Sequence, residues 1–166
     1  ERSSSRIVLE SSMASTFSVI AVHSSQVFSG QPQSREVLNQ PVRQVGHVKA
    51  QILGLPGARI DALNDQVRLA KHFHGEADLA TVWVGANDLV HGDDPSRFQT
   101  DLRQLLRRLQ SSVSTTVVIA NLPDLTQLPA FRAMANPAVT LARVKAFNLA
   151  IEVEAPYVNA SIVNVF

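Results

Sequence analysis

The sequence predicts an α/β fold, a three-layer α/β/α sandwich around a parallel sheet of about five strands. Three observations carry that expectation. Short apolar runs alternate with longer amphipathic segments along the chain, without an internal repeat. One run, Leu-Ala-Thr-Val-Trp-Val at residues 79–84, is almost unbroken and rich in β-branched and aromatic residues, as in a strand buried on both faces. It stops at Gly85, and a polar pair, Asn87-Asp88, follows where ligand sites lie in open α/β sheets, beyond the carboxyl end of a strand.

Each element has its own signal. Residues 1–16 are serine-rich and lack sustained periodicity, so they read as a loose lead-in to a single domain over residues 17–166. Residues 17–22 (Phe-Ser-Val-Ile-Ala-Val) form a first strand that runs into His23-Ser24-Ser25. Residues 33–40 suit a short helix that ends before Pro41. A second strand fits residues 48–53, and Gly54-Leu-Pro-Gly57 makes a tight turn. Residues 58–73 then have helical spacing, with Ile60, Leu63, Val67 and Ala70 on one side and Gly75 as the stop.

After the strand at 79–84, Asp94-Pro95 supplies a capping carboxylate with proline in the first turn. Phe98, Leu102, Leu105, Leu106 and Leu109 make the apolar stripe of the helix that follows. Residues 115–120 read as a fourth strand and 121–129 as a proline-punctuated loop. A helix over 137–154, with Val144, Phe147 and Ile151 on one face, leads to a fifth strand at 157–166.

Composition narrows the function. With 45% apolar and 17% charged residues the chain reads as an ordinary soluble globular protein, and a net charge of +1 leaves no nucleic-acid footprint. No run approaches the ~18 residues of a membrane span, and no charged-then-apolar leader opens the chain. The compartment and the oligomeric state stay open. There is no cysteine, hence no thiolate nucleophile and no Cys-based zinc site. Phosphate-loop, dinucleotide, H-E-x-x-H and G-x-S-x-G motifs are all absent. His72 and His74 lack a further ligand at metal spacing and read as a solvated helix end, so neither a metal nor a cofactor is expected.

What remains is a set of loops at strand ends: Ser24 and Ser25 in the first, Gly54 and Gly57 in the second, Gly85, Asn87 and Asp88 in the third. In a parallel sheet all three open onto one edge. A serine, a backbone N–H and an asparagine amide converging there form a nucleophile beside an oxyanion hole, as acyl transfer demands. Asn-Asp also suits an ordinary turn, as does Ser-Ser.

From about residue 53 to 165 the sequence resembles the GDSL or SGNH hydrolases, serine esterases and lipases with a flavodoxin-like sheet. Gly54-Leu-Pro-Gly-Ala-Arg-Ile60 is similar to the family's second block, and Val82-Trp-Val-Gly-Ala-Asn-Asp-Leu89 matches its third, G-x-N-D. Ala120-Asn-Leu-Pro-Asp-Leu125 and Val144-Lys-Ala-Phe-Asn148 are similar to its connecting segments. The resemblance implies an ester hydrolase acting on a small-molecule ester. It implies Ser25 as nucleophile, Gly57 and Asn87 as oxyanion donors, Gly85 as the turn that aims Asn87, and Asp88 as a brace.

Two departures accompany it. The family's Gly-Asp-Ser block reads His23-Ser24-Ser25 here, although Ser25, Gly57 and Asn87 follow one another at 32 and 30 residues, as the family's blocks do. The D-x-x-H block is missing, and the resemblance places it beyond Phe166, in an incomplete or degenerate member. His91, the histidine nearest the candidate site in sequence, reads as part of the loop before the next helix. The competing functions are a catalytically impaired binding module of the same fold and a nucleotide-binding domain using residues 24–30 as its phosphate loop.

Overall fold

The computed structural model of the chain describes residues 19–24, 43–45, 48–74 and 77–166, with side chains for residues 52–72 and 77–166. Among the described residues six strands form one mixed sheet: β1 (Val19–Ser24), β2 (Arg43–Val45), β3 (Val48–Ile52), β4 (Leu79–Trp83), β5 (Val117–Ala120) and β6 (Ser161–Val163). Their order across the sheet is β2-β3-β1-β4-β5-β6. β4, β5 and β6 are parallel, in register Val82 to Ile119 and Ile119 to Ile162. The α/β class and its parallel half are thus as the sequence predicts.

The other half corrects the expectation of an all-parallel sheet. β1 is antiparallel to both its neighbours, pairing Val19 with Trp83 and His23 with Leu79 on β4, and Ser24 with Lys49 on β3. β2 forms an antiparallel pair with β3. The reason lies in what an apolar run encodes. Side-chain alternation specifies which face is buried, whereas direction is set by the connections, and the predicted helix at 33–40 lies outside the described residues.

Three long helices follow β3, β4 and β5: α1 (Leu63–His74), α3 (Pro95–Ser112) and α5 (Leu141–Glu154). Each joins a strand to a parallel strand farther in the same direction across the sheet, and right-handed crossovers then place all three in one layer. α1 and α5 both pack on α3. Two short helices, α2 (Ala86–His91) and α4 (Pro129–Ala133), complete the α-helices among the described residues. The core fills the space between layer and sheet, with Leu63, Val67, Phe98, Leu102, Leu106, Phe147 and Ile151 packed over Val82, Val117 and Ile119. Each fully buried large side chain contributes ~1.5–3 kcal/mol. β4 buries Ala80 and Val82 and leaves Leu79, Thr81 and Trp83 partly exposed, so among the described residues one face of it is covered more fully than the other.

Local chemistry sets the boundaries. Asp94 Oδ1 accepts from Ser96 N at 2.8 Å and Arg97 N at 3.1 Å, fixing the start of α3 as its sequence indicates. α5 begins four residues after the expected Pro137. Asn136 Oδ1 takes Ala138 N in a local turn, and Thr140 supplies the cap to Arg143 N. The final strand shrinks to three residues because Pro156 sits in a 3-10 turn, Ala155–Val158, which ends at Asn159 with φ 49°.

α3 and α5 are joined through a buried carboxylate. Glu154, 1% exposed, accepts from Arg103 Nε and Nη2 and from Gln99 Nε2, each at 2.7 Å. The Arg103 guanidinium, donating two hydrogen bonds, holds the Glu154 carboxyl below its ordinary 4.5. The stability this lowered value contributes is present above pH 4.5 and is lost as pH falls through it. Arg103→Ala should therefore destabilise the fold at pH 7, because it leaves the Glu154 carboxylate buried without its ion-pair partner. It should also flatten the loss of stability in acid. Urea titrations at pH 7 and pH 3.5 measure both, and an unchanged acid dependence would show that the pair contributes nothing.

Candidate active site

Because β3 and β4 run in the same direction, the segments leaving their carboxyl ends meet at one rim of the sheet. The first is a type II turn. Pro56 occupies its second position, Gly57 its third with φ +73°, and Ala58 N closes it on Leu55 O at 3.2 Å. Gly57 N–H donates to no group among the described residues. The chain then passes through extended Arg59 into a 3-10 turn, Ile60–Ala62, so α1 starts at Leu63 and not at the expected residue 58.

The second segment begins at Gly85, whose φ of +108° turns β4 directly into α2. An added Cβ would meet Phe98 Cζ at 2.9 Å and Phe147 Cδ1 at 3.5 Å. Phe98 and Phe147 stack at 4.6 Å between ring centroids, so neither ring can yield without disturbing the other. Gly85 is therefore required twice over, by backbone conformation and by space. Asn87 and Asp88 lie in the first turn of α2 and are buried, at 7% and 1% exposed. The sequence suggested a loop there, since six residues are too few to show helical periodicity.

Two hydrogen bonds join the segments. Asn87 Nδ2 donates to Ala58 O at 2.8 Å, and Ile60 N donates to Asp88 Oδ1 at 3.0 Å. Consecutive side chains of α2 thus hold alternate residues of the 57–60 segment. Asp88 Oδ2 is buried and has no hydrogen-bond partner among the described residues. Burial, the largest influence, raises the Asp88 carboxyl from 3.8 to about 6; hydrogen bonds from Ile60 and its own N–H oppose this, nearby Asp93 adds to it and Arg59 opposes it.

Around this corner stands a second group that sequence reasoning missed. Arg59 Nη1 pairs with Asp93 Oδ2 at 3.3 Å, and Arg143 Nη2 donates to Asp93 O at 2.6 Å. Asp93, just past α2, is thereby held by the 57–60 segment and by α5. Its partners are 34 and 50 residues away, and no local pattern announces them. Asn148, quoted above only as part of a connecting segment, clamps Leu122 through N–H and C=O at 2.7 and 2.9 Å. The signal was present there: Asn148 is a polar residue on the apolar face of its helix. His91 Nδ1 lies 3.2 Å from Asn87 O and its side chain is largely exposed.

The structure brings Gly57, Gly85, Asn87 and Asp88 to one corner. It does not bring Ser24 there. β1 is antiparallel to β4, so its Val19 end lies beside Trp83 at this rim while Ser24 lies at the opposite end. The expectation that all three loops open onto one edge is corrected for the first loop. Ser25 itself lies outside the described residues.

Among the described residues no group of three or more His, Asp or Glu side chains is arranged to hold a metal ion, and no helix is long and apolar enough to cross a membrane. Gly85→Ala should destabilise the fold by about 2–4 kcal/mol, combining a positive-φ penalty with overpacking. A change below ~0.5 kcal/mol on chemical denaturation would mean that the corner is not built as described.

The model of the GDSL-like lipase/acylhydrolase family matches residues 20–166. Among solved structures, a putative GDSL-like lipase from Parabacteroides merdae ATCC 43184 superposes with a TM-score of 0.54 at 18% identity, over 66% of this chain and 51% of that one. A serine-to-alanine mutant of the esterase AlinE4 gives 0.52 at 18% identity, over 66% and 52%. The chain thus spans about half the length of these two structures, and at this identity the likeness is one of fold. No curated protein matches.

Proposed function

We propose that this chain, which belongs to the GDSL-like lipase/acylhydrolase family, carries the oxyanion-stabilising half of a serine ester hydrolase. Gly57 N–H and the Asn87 amide are the donors that would hold the developing alkoxide of a carboxylic ester. The observation that carries this reading is the 2.8 Å bond from Asn87 Nδ2 to Ala58 O. It sets the amide plane beside the Gly57 turn before any substrate arrives. Donors fixed in advance, in a site shielded from water, stabilise charge without reorganising during the reaction, and this is where most of the rate of acyl transfer arises.

In the full mechanism a serine hydroxyl attacks the ester carbonyl, a base takes its proton, and the alcohol leaves as the tetrahedral intermediate collapses to an acyl-enzyme that water then cleaves. The order of the family's blocks points to Ser25 as the nucleophile, an assignment that requires the chain after Ser24 to return to the rim where Asn87 lies. The second reading, an acyl-binding module of the same fold without hydrolysis, is favoured by one observation. The course of β1 carries its carboxyl end away from Asn87.

A fluorophosphonate probe separates the two. Labelling that disappears in Ser25→Ala supports the hydrolase, and absence of labelling in the unaltered chain supports the binding module. Asn87→Ala should lower turnover of a short-chain nitrophenyl ester by ~10²–10³. Unchanged turnover would remove Asn87 from the mechanism.

A further inference from the structure

We propose that Asp88 is a positioning residue that couples the alignment of the Gly57 and Asn87 donors to the uptake of a proton, with Arg59 and Asp93 tuning when that proton binds. The inference rests on the oxyanion reading above for its catalytic consequence, but its physical basis is independent of it.

One oxygen of Asp88 is occupied by Ile60 N–H at 3.0 Å, and the other is enclosed without a partner among the described residues. An ionised carboxylate in that position has half of its charge unanswered by any hydrogen bond, and burial penalises the charged form. The hydrogen bonds from Ile60 N–H and from Asp88's own N–H oppose this penalty most, and Arg59, which lies on the same short segment that Asp88 holds and is itself paired with Asp93 at 3.3 Å, adds a smaller share. The charged groups around this corner are Arg59 and Asp61 from the 59–62 segment, His91 and Asp93 from α2 and its exit, Asp94 at the start of α3, and Arg143 from α5. Arg59 is partly shared with Asp61 at 3.4 Å, and Arg143 reaches the Asp93 carbonyl and not its carboxylate. The balance at Asp88 is therefore set first by burial and the two backbone hydrogen bonds, and is then tuned by Asp93 and Arg59.

Both states of Asp88 accept from Ile60 N–H through Oδ1, so the segment stays attached as the proton comes and goes. What changes is the strength of that bond, since an ionised acceptor holds an N–H about twice as strongly as a neutral one. The 57–60 segment and the adjoining Asn87 amide are drawn in together when Asp88 ionises and relax together when it is neutral. Sign follows from the raised carboxyl: this side chain favours the folded state most below pH 3.8 and loses that contribution as pH rises through about 6.

The test is an NMR titration of the chain from pH 4.5 to 8, following Ile60 N–H, the Asn87 side-chain amide and the Asp88 carboxyl carbon. All three should move with one midpoint near 6 in the unaltered chain. Asp93→Asn should lower that midpoint and Arg59→Leu should raise it. Asp88→Asn, which keeps the acceptor for Ile60, should abolish the transition at Ile60 and Asn87, and His91→Gln, which removes an ionisable neighbour, should leave it in place.

An Asn87 amide that does not follow Ile60, or a transition that persists in Asp88→Asn, would overturn the coupling, and the first outcome needs no variant to fold. In ester hydrolysis, Asp88→Leu should lower kcat by about 10²-fold with Asp88→Asn restoring much of it, as expected for misplaced donors. No hydrolysis by the unaltered chain would count against the esterase reading alone, whereas full kcat in Asp88→Leu would overturn the positioning role.

Discussion

The site depends on a pair of hydrogen bonds between neighbours. Asn87 holds Ala58 O and Asp88 holds Ile60 N–H, so one turn of a six-residue helix grips both ends of a three-residue stretch. Without them the 57–60 segment would be tied to α2 mainly by the exposed end of Arg59. With them, the Gly57 turn and the Asn87 amide form one rigid corner at the carboxyl rim of the sheet. Everything that fixes α2 fixes this corner: Gly85 aims it, the Phe98–Phe147 stack closes behind it, and Arg59 and Arg143 secure its exit at Asp93.

The fold supplies the rigidity. α3 carries five fully buried apolar side chains and packs on both of the other long helices. The Glu154 clamp ties α3 to α5 at one end, while Arg143 ties α5 to the loop before α3 at the other. The proposed donors are thus carried on elements whose own positions are overdetermined, as electrostatic preorganisation requires.

How much of this the sequence disclosed follows from the range of each interaction. The cap at Asp94, the glycine at 85 and the stripe from Phe98 to Leu109 are local and were legible. The start of α5 was misplaced because Pro137 is an equally good helix opener on paper, and only the turn at Asn136 shows that Thr140 does the capping. The pairing of Asp93 with Arg59 and the clamp of Asn148 on Leu122 join residues 26 to 34 apart, and no spacing rule links them. Strand direction was the largest omission. A short apolar run reads the same in either sense, so the reversal of β1 could not be anticipated, and with it the separation of Ser24 from Asn87.

The chain belongs to the GDSL-like lipase/acylhydrolase family, and the corner between the Gly57 turn and α2 is the part we propose as its oxyanion-holding site. A crystal structure of the chain with a short alkylphosphonate, whose oxygens stand in for a tetrahedral oxyanion, tests this most directly. The account predicts one phosphonate oxygen within about 2.7–3.1 Å of both Gly57 N and Asn87 Nδ2. A phosphonate bound away from this corner, with the Asn87 amide engaged only by Ala58, would contradict it.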